Sequence, residues 1–118
     1  MKDTILVASW DPLLEAARKR VLESAGYEVL LARGSNGVRE LCEKRRVSLV
    51  VIGYSLPPSE KRRVWVEARA ICKTPILQLY QGSKPELLES TALFAHQSNA
   101  PDDFVRSVQD ILQRKNQN

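Results

Sequence analysis

Two short stretches place chemically capable side chains where an α/β protein would use them. Ser9, Trp10 and Asp11 follow one apolar run, and Gly53, Tyr54 and Ser55 follow another. Open α/β sheets bind ligands in the crevice outside the carboxyl ends of their strands. The two stretches offer hydroxyls, aromatic rings and one carboxylate. Asp11 stands before Pro12, which suits the N-cap of a helix better than a metal site, because a hard cation demands several oxygen ligands. His96 is the single histidine, with no cysteine or carboxylate at metal-ligand spacing, and it gives the serine and cysteine nucleophiles no matched base. "GSNG" at 34–37 lacks the order of a dinucleotide or phosphate loop. No catalytic residue, metal or cofactor is therefore expected, and an enzyme finds no support. Trp10, Tyr54, Ser55 and Tyr80 remain as a candidate binding mouth, although turn formation and edge packing account for the last three more cheaply.

The chain of 118 residues fits one domain, 1–118, and its 43% hydrophobic and 27% charged content is that of an ordinary globular protein. No apolar run is long enough to cross a bilayer, and the N-terminus carries an acidic residue and no small-residue cleavage site, so a cytoplasmic protein is expected. Cys42 and Cys72, 30 residues apart in helix-like surroundings, read as small buried hydrophobes rather than a redox pair. The net charge of +4 and pI near 9.3 leave nucleic acid open as a partner. The basic residues are scattered, mostly beside glutamates, and solvated helix faces explain them equally well.

The elements that must position these residues are legible in the apolar periodicity. "TILVA" (4–8) predicts a first strand, and Leu14, Ala17, Val21 and Ala25 predict the inward stripe of a helix that stops at Gly26. A second strand is expected over 27–32, a turn at "RGSNG", and a short helix with Val38, Leu41 and Cys42 on one face. "VSLVVIG" (47–53) is apolar on successive residues, as a central parallel strand covered on both faces must be. A third helix over 59–72 presents Val64, Ala68 and Ile71 inward, and Trp65 is read as either core or partner surface. Then come a strand at 74–80, a short helix in "KPELLES", a strand in "ALFAH", and a last helix from Pro101 with Phe104, Val105, Val108, Ile111 and Leu112. Strands alternating with helices across short turns predict an α/β fold: a flavodoxin-like (βα)5 three-layer sandwich with a parallel five-stranded sheet in the order 2-1-3-4-5.

With the pattern laid out, the chain resembles a response-regulator receiver domain of two-component signalling. "ILVASWDPLLEAARKRVLESAGYEVLLARGSNGVREL" follows that family's opening strand, helix and second strand, "SLVVIGYSLPP" its central strand and proline loop, and "TPILQLY" its fourth strand. The family phosphorylates an aspartate at the end of strand three, with Mg²⁺ held by an acidic pair after strand one. The resemblance places that pair on Ser9 and Trp10 beside Asp11, the phosphoacceptor on Gly53, the switch hydroxyl on Tyr80, and the lysine of a Lys-Pro pair on Ala100. Each of those positions is substituted, so the resemblance implies a non-phosphorylatable receiver in a bacterial phosphorelay that binds a protein partner or a small ligand. A homodimer is compatible with it; nucleic acid and membrane are not expected partners. The alternative is a basic nucleic-acid-binding module on the same scaffold, and a third reading is a flavodoxin-like enzyme or cofactor carrier using the mouth. Trp10 is expected to plug the vacated pocket, the other choice being the floor of a new ligand site.

Overall fold

The computed structural model describes residues 2–81, 93–97 and 101–116. Five strands, β1 (Thr4–Ala8), β2 (Glu28–Ala32), β3 (Leu49–Ile52), β4 (Ile76–Tyr80) and β5 (Leu93–Gln97), form one parallel sheet in the order β2-β1-β3-β4-β5. Four α-helices accompany them among the described residues: α1 (Pro12–Ser24), α2 (Ser35–Lys44), α3 (Pro58–Glu67) and α4 (Pro101–Asn116). The expected helix in "KPELLES" lies outside the described residues.

Successive residues of β1 and β3 feed opposite faces of the sheet, as a period of two requires. Ile5, Val7, Leu49 and Val51 pack with Leu22 of α1 and with Phe104, Val108, Ile111 and Leu112 of α4. Leu6, Ala8, Val50 and Ile52 pack on the other side with Val38 of α2 and Val64 of α3. Both faces are thus dry, which is why these strands read as unbroken apolar runs. Each fully buried Leu, Ile or Val contributes about 1.5–3 kcal/mol of transfer free energy.

Three local expectations are corrected. First, α2 begins at Ser35, inside the segment read as a turn, because the Glu60 carboxylate accepts hydrogen bonds from the Ser35 backbone N–H (2.8 Å) and hydroxyl (2.9 Å). A carboxylate from α3 therefore supplies the capping that Gly34 cannot, and it complements the positive end of the helix. Second, the third helix does not run unbroken to residue 72. It passes at Ala68 into a π-helical turn, Ala68–Cys72, which closes on Lys73 in the left-handed region at φ 53°. Third, Cys42 and Cys72 form a disulfide across a Cα separation of 5.1 Å. The end of α2 and the π-turn converge over the same core cluster, which brings together two sulfurs that were expected to be separate apolar fillers. Such a bond is uncommon in reducing cytoplasm.

Candidate functional site at the head of the sheet

The register that aligns Ala8 with Ile52 makes Ser9 and Gly53 neighbours just beyond the sheet, and the Gly53 N–H donates to the Ala8 carbonyl at 2.8 Å. The fully buried Ser9 hydroxyl lies 3.0 Å from that of Ser55, tying the two loops together. Ser9 Oγ also accepts from the Asp11 N–H at 3.2 Å, and Ser55 Oγ from the Trp10 N–H at 3.3 Å. Asp11 caps α1, its Oδ1 accepting from the N–H groups of Leu13 and Leu14 at 3.0 and 3.4 Å.

Trp10 does not plug the pocket. It is 51% exposed, with its indole nitrogen turned toward Gly34 and Glu60 rather than Gly53. The occupant is Arg18. Position 53 continues the parity of Leu49 and Val51, so a side chain there would point toward α1. A Cβ on Gly53 would stand 2.8 Å from Nη1 of Arg18, 3.1 Å from the Ala8 carbonyl oxygen and 3.2 Å from the Ser9 Cβ. The missing side chain is what leaves room for the guanidinium.

Arg18 reaches this position because the face that α1 turns inward is not the apolar stripe read from the sequence. Ala17 is exposed, while Glu15, Arg18 and Leu22 are buried, with Arg18 only 7% exposed. These three also recur at helical spacing, which is the signal that could have found them; two charged residues obscured it. The guanidinium carbon lies 5.1 Å from the centre of the Tyr54 ring, a cation–π contact worth about 0.5–2 kcal/mol. Burial draws the Arg18 pKa below the ordinary guanidinium value, opposed by Tyr54, Asp11 and Glu15. Nη1 of Arg18 and Oε1 of Glu15 are both buried without a hydrogen-bond partner.

Mg²⁺ does not fit this arrangement. Ser9, Trp10 and Gly53 present no carboxylate, and a buried cation already stands where the side chain of residue 53 would begin. Among the described residues no three His, Cys, Asp or Glu side chains cluster as metal ligands would. Tyr80 ends β4 half-buried. Ser55 accepts from the Trp10 N–H and Tyr54 lies against Arg18, whereas Ala100 lies outside the described residues. Trp65 is half-buried against the second core cluster, with its indole nitrogen unpartnered. No helix among the described residues is long and apolar enough to cross a membrane.

The chain matches no family model and no curated protein. Its fold is that of CheY-like response-regulator receiver domains. It superimposes with a TM-score of 0.85 on the signal receiver domain of an HD domain-containing protein from Pseudomonas fluorescens Pf-5, at 13% identity and over 100% of both chains. Against a CheY-like receiver domain protein from Methanospirillum hungatei JF-1 the TM-score is 0.79 at 17% identity, covering 99% of this chain and 98% of the other. The chemotaxis protein CheY4 of Vibrio cholerae gives 0.78 at 18% identity, covering 94% and 99%. At these identities the likeness is one of fold.

Proposed function

We propose that this chain is a receiver-type module that does not accept a phosphoryl group and acts by binding a protein partner in two-component-type signalling of a bacterial cell. One observation carries the reading: the Arg18 guanidinium stands within 2.8 Å of where a side chain on residue 53 would start. A phosphoacceptor needs a carboxylate nucleophile and a divalent ion to neutralise the incoming phosphoryl oxygens. Residues 9, 10 and 53 supply no carboxylate, and the positive charge of Arg18 repels a divalent ion at that place. Trp10 and Leu13, 51% and 83% exposed beside the head of the sheet, offer the apolar contacts a protein partner would use. The expected partner is a component of the same pathway, with a second copy of the chain as an alternative occupant. The cytoplasmic expectation belongs to this reading, and in a reducing cytoplasm Cys42 and Cys72 would be thiols.

Trp10 beside the site makes the test optical. Mg²⁺ with acetyl phosphate or beryllofluoride is expected to leave tryptophan fluorescence unchanged; a saturable, Mg²⁺-dependent quench overturns the reading.

A further inference from the structure

We infer that the head of the sheet is a metal-free site for one small oxyanion, a phosphate or a carboxylate group, held by Arg18 with the Ser9–Ser55 hydroxyl pair. The inference rests on the reading above only in taking residue 53 as uncharged and the site as free of Mg²⁺.

The argument is a count of donors and acceptors. Ser9 Oγ accepts from Asp11 N–H, Ser55 Oγ accepts from Trp10 N–H, and the two hydroxyls share one hydrogen bond with each other. Of their two hydrogens one is used in that bond; when the half-buried Ser55 donates it, the hydrogen left over is that of the fully buried Ser9. The Gly53 N–H is already spent on Ala8. Nη1 of Arg18 has no acceptor, and its residue is more than nine-tenths buried. Arg18 and Ser9 both flank Gly53: Nη1 and the Ser9 Cβ lie 2.8 and 3.2 Å from the point its Cβ would occupy.

Buried polar groups are nearly always satisfied, and an unpaired buried charge is costly. Asp11 and Glu15 favour the charge without accepting a hydrogen bond from Nη1: Asp11 turns Oδ1 to its helix cap, and Oε1 of Glu15 makes no hydrogen bond. Planar guanidinium with an adjacent hydroxyl donor matches the geometry of an oxyanion, which accepts through two oxygens at once. Glu15 sets a limit on the ligand, because its carboxylate on the same face of α1 disfavours a multiply charged one. Nη1 is shielded from solvent, so binding is coupled to movement at the mouth. The half-buried Tyr54, in contact with the guanidinium, is the side chain placed to yield.

The experiment follows the Arg18 Nε–H resonance in ¹⁵N-labelled protein. Inorganic phosphate and acetate are titrated separately at constant ionic strength and pH with EDTA present. A saturable shift of Arg18 Nε–H, with the same midpoint at the Gly53 and Ser55 amides, is expected for at least one anion, and which anion responds identifies the ligand chemistry. Arg18→Met should weaken that binding at least tenfold. Gly53→Asp places a carboxylate on the guanidinium within the chain; it should shift the Arg18 resonance without added anion and abolish the titration, and it serves as the control if Arg18→Met fails to fold. No saturable shift with either anion, or a titration that persists in Gly53→Asp, overturns the proposal. With EDTA present, failure here leaves the reading on phosphorylation untouched, and a Mg²⁺-dependent phosphorylation would fail that reading separately.

Discussion

Glu60 shows how one side chain serves two elements. Its carboxylate caps α2 through Ser35 while Arg63, one turn along α3, lies 3.9 Å away. The Ser35 backbone hydrogen bond holds its pKa below the ordinary 4.5, with the Ser35 hydroxyl and Arg63 acting in the same direction and burial opposing. A depressed folded-state pKa means the unfolded chain takes up a proton first as pH falls. The stabilisation is therefore complete above about 4.5 and is lost as pH drops through the lower folded value. Glu60→Gln keeps an acceptor but loses the charge, and should cost about 1 kcal/mol at neutral pH, the difference between a charged and a neutral hydrogen bond. Urea midpoints of the two proteins should converge as pH falls from about 6 to below 4.5; a gap that stays constant with pH would show that the charge contributes nothing. Ser35 and Glu60 are 25 positions apart, and no local pattern in the sequence announces the pairing.

At the scale of elements, α2 and the α3–π-turn unit are tied at both ends. Glu60 binds Ser35 at the start of α2, and the disulfide joins Cys42 in its last turn to Cys72 at the end of the π-turn. Between the ties lie Val38, Leu41 and Val64, packed over Val50 and Ile52 of the sheet. The disulfide closes a loop of 30 residues that contains all of β3 and α3, for which the chain-entropy model gives about 3 to 4 kcal/mol. Reduction should lower the thermal midpoint by several degrees and leave the fold intact. Cys42→Ser with Cys72→Ser should remove the response to reductant, so a midpoint indifferent to dithiothreitol in the original chain would mean the bond contributes no stability. The spacing of the two cysteines gave no hint of this. Pairing depends on where two helices end in space, which the π-turn helps to set.

For the whole molecule the question is what a net charge of +4 does. Four of the 18 basic residues are paired with carboxylates: Arg45 with Glu28, Arg39 with Glu43 at 3.3 Å, Arg63 with Glu60 and Arg106 with Asp103 at 3.9 Å. Exposed pairs of this kind add little stability, about 0–1 kcal/mol each, yet they cancel the local field that a polyanion would meet. Retention on heparin should be weak and disappear by about 0.15 M salt. Retention well beyond that, falling steeply with added salt as counterion release requires, would revive the nucleic-acid reading.

The sequence by itself determined the α/β alternation, the parallel sheet with its doubly buried centre, the Asp11–Pro12 helix start and the absence of a carboxylate at 9, 10 and 53. These follow from periodicity, capping and residue type, all of which act within a few positions along the chain. Only the tertiary structure decided what fills the head of the sheet. An arginine on a helix reads as solvated, because its long stem can carry the charge to water from almost any face. Whether it turns inward depends on an opening 35 positions away, and that opening exists because Gly53 has no side chain. Trp10 looked like the plug by size and proximity in sequence; the direction of its side chain, set by the turn into α1, takes it to Gly34 and Glu60 and leaves the pocket to Arg18.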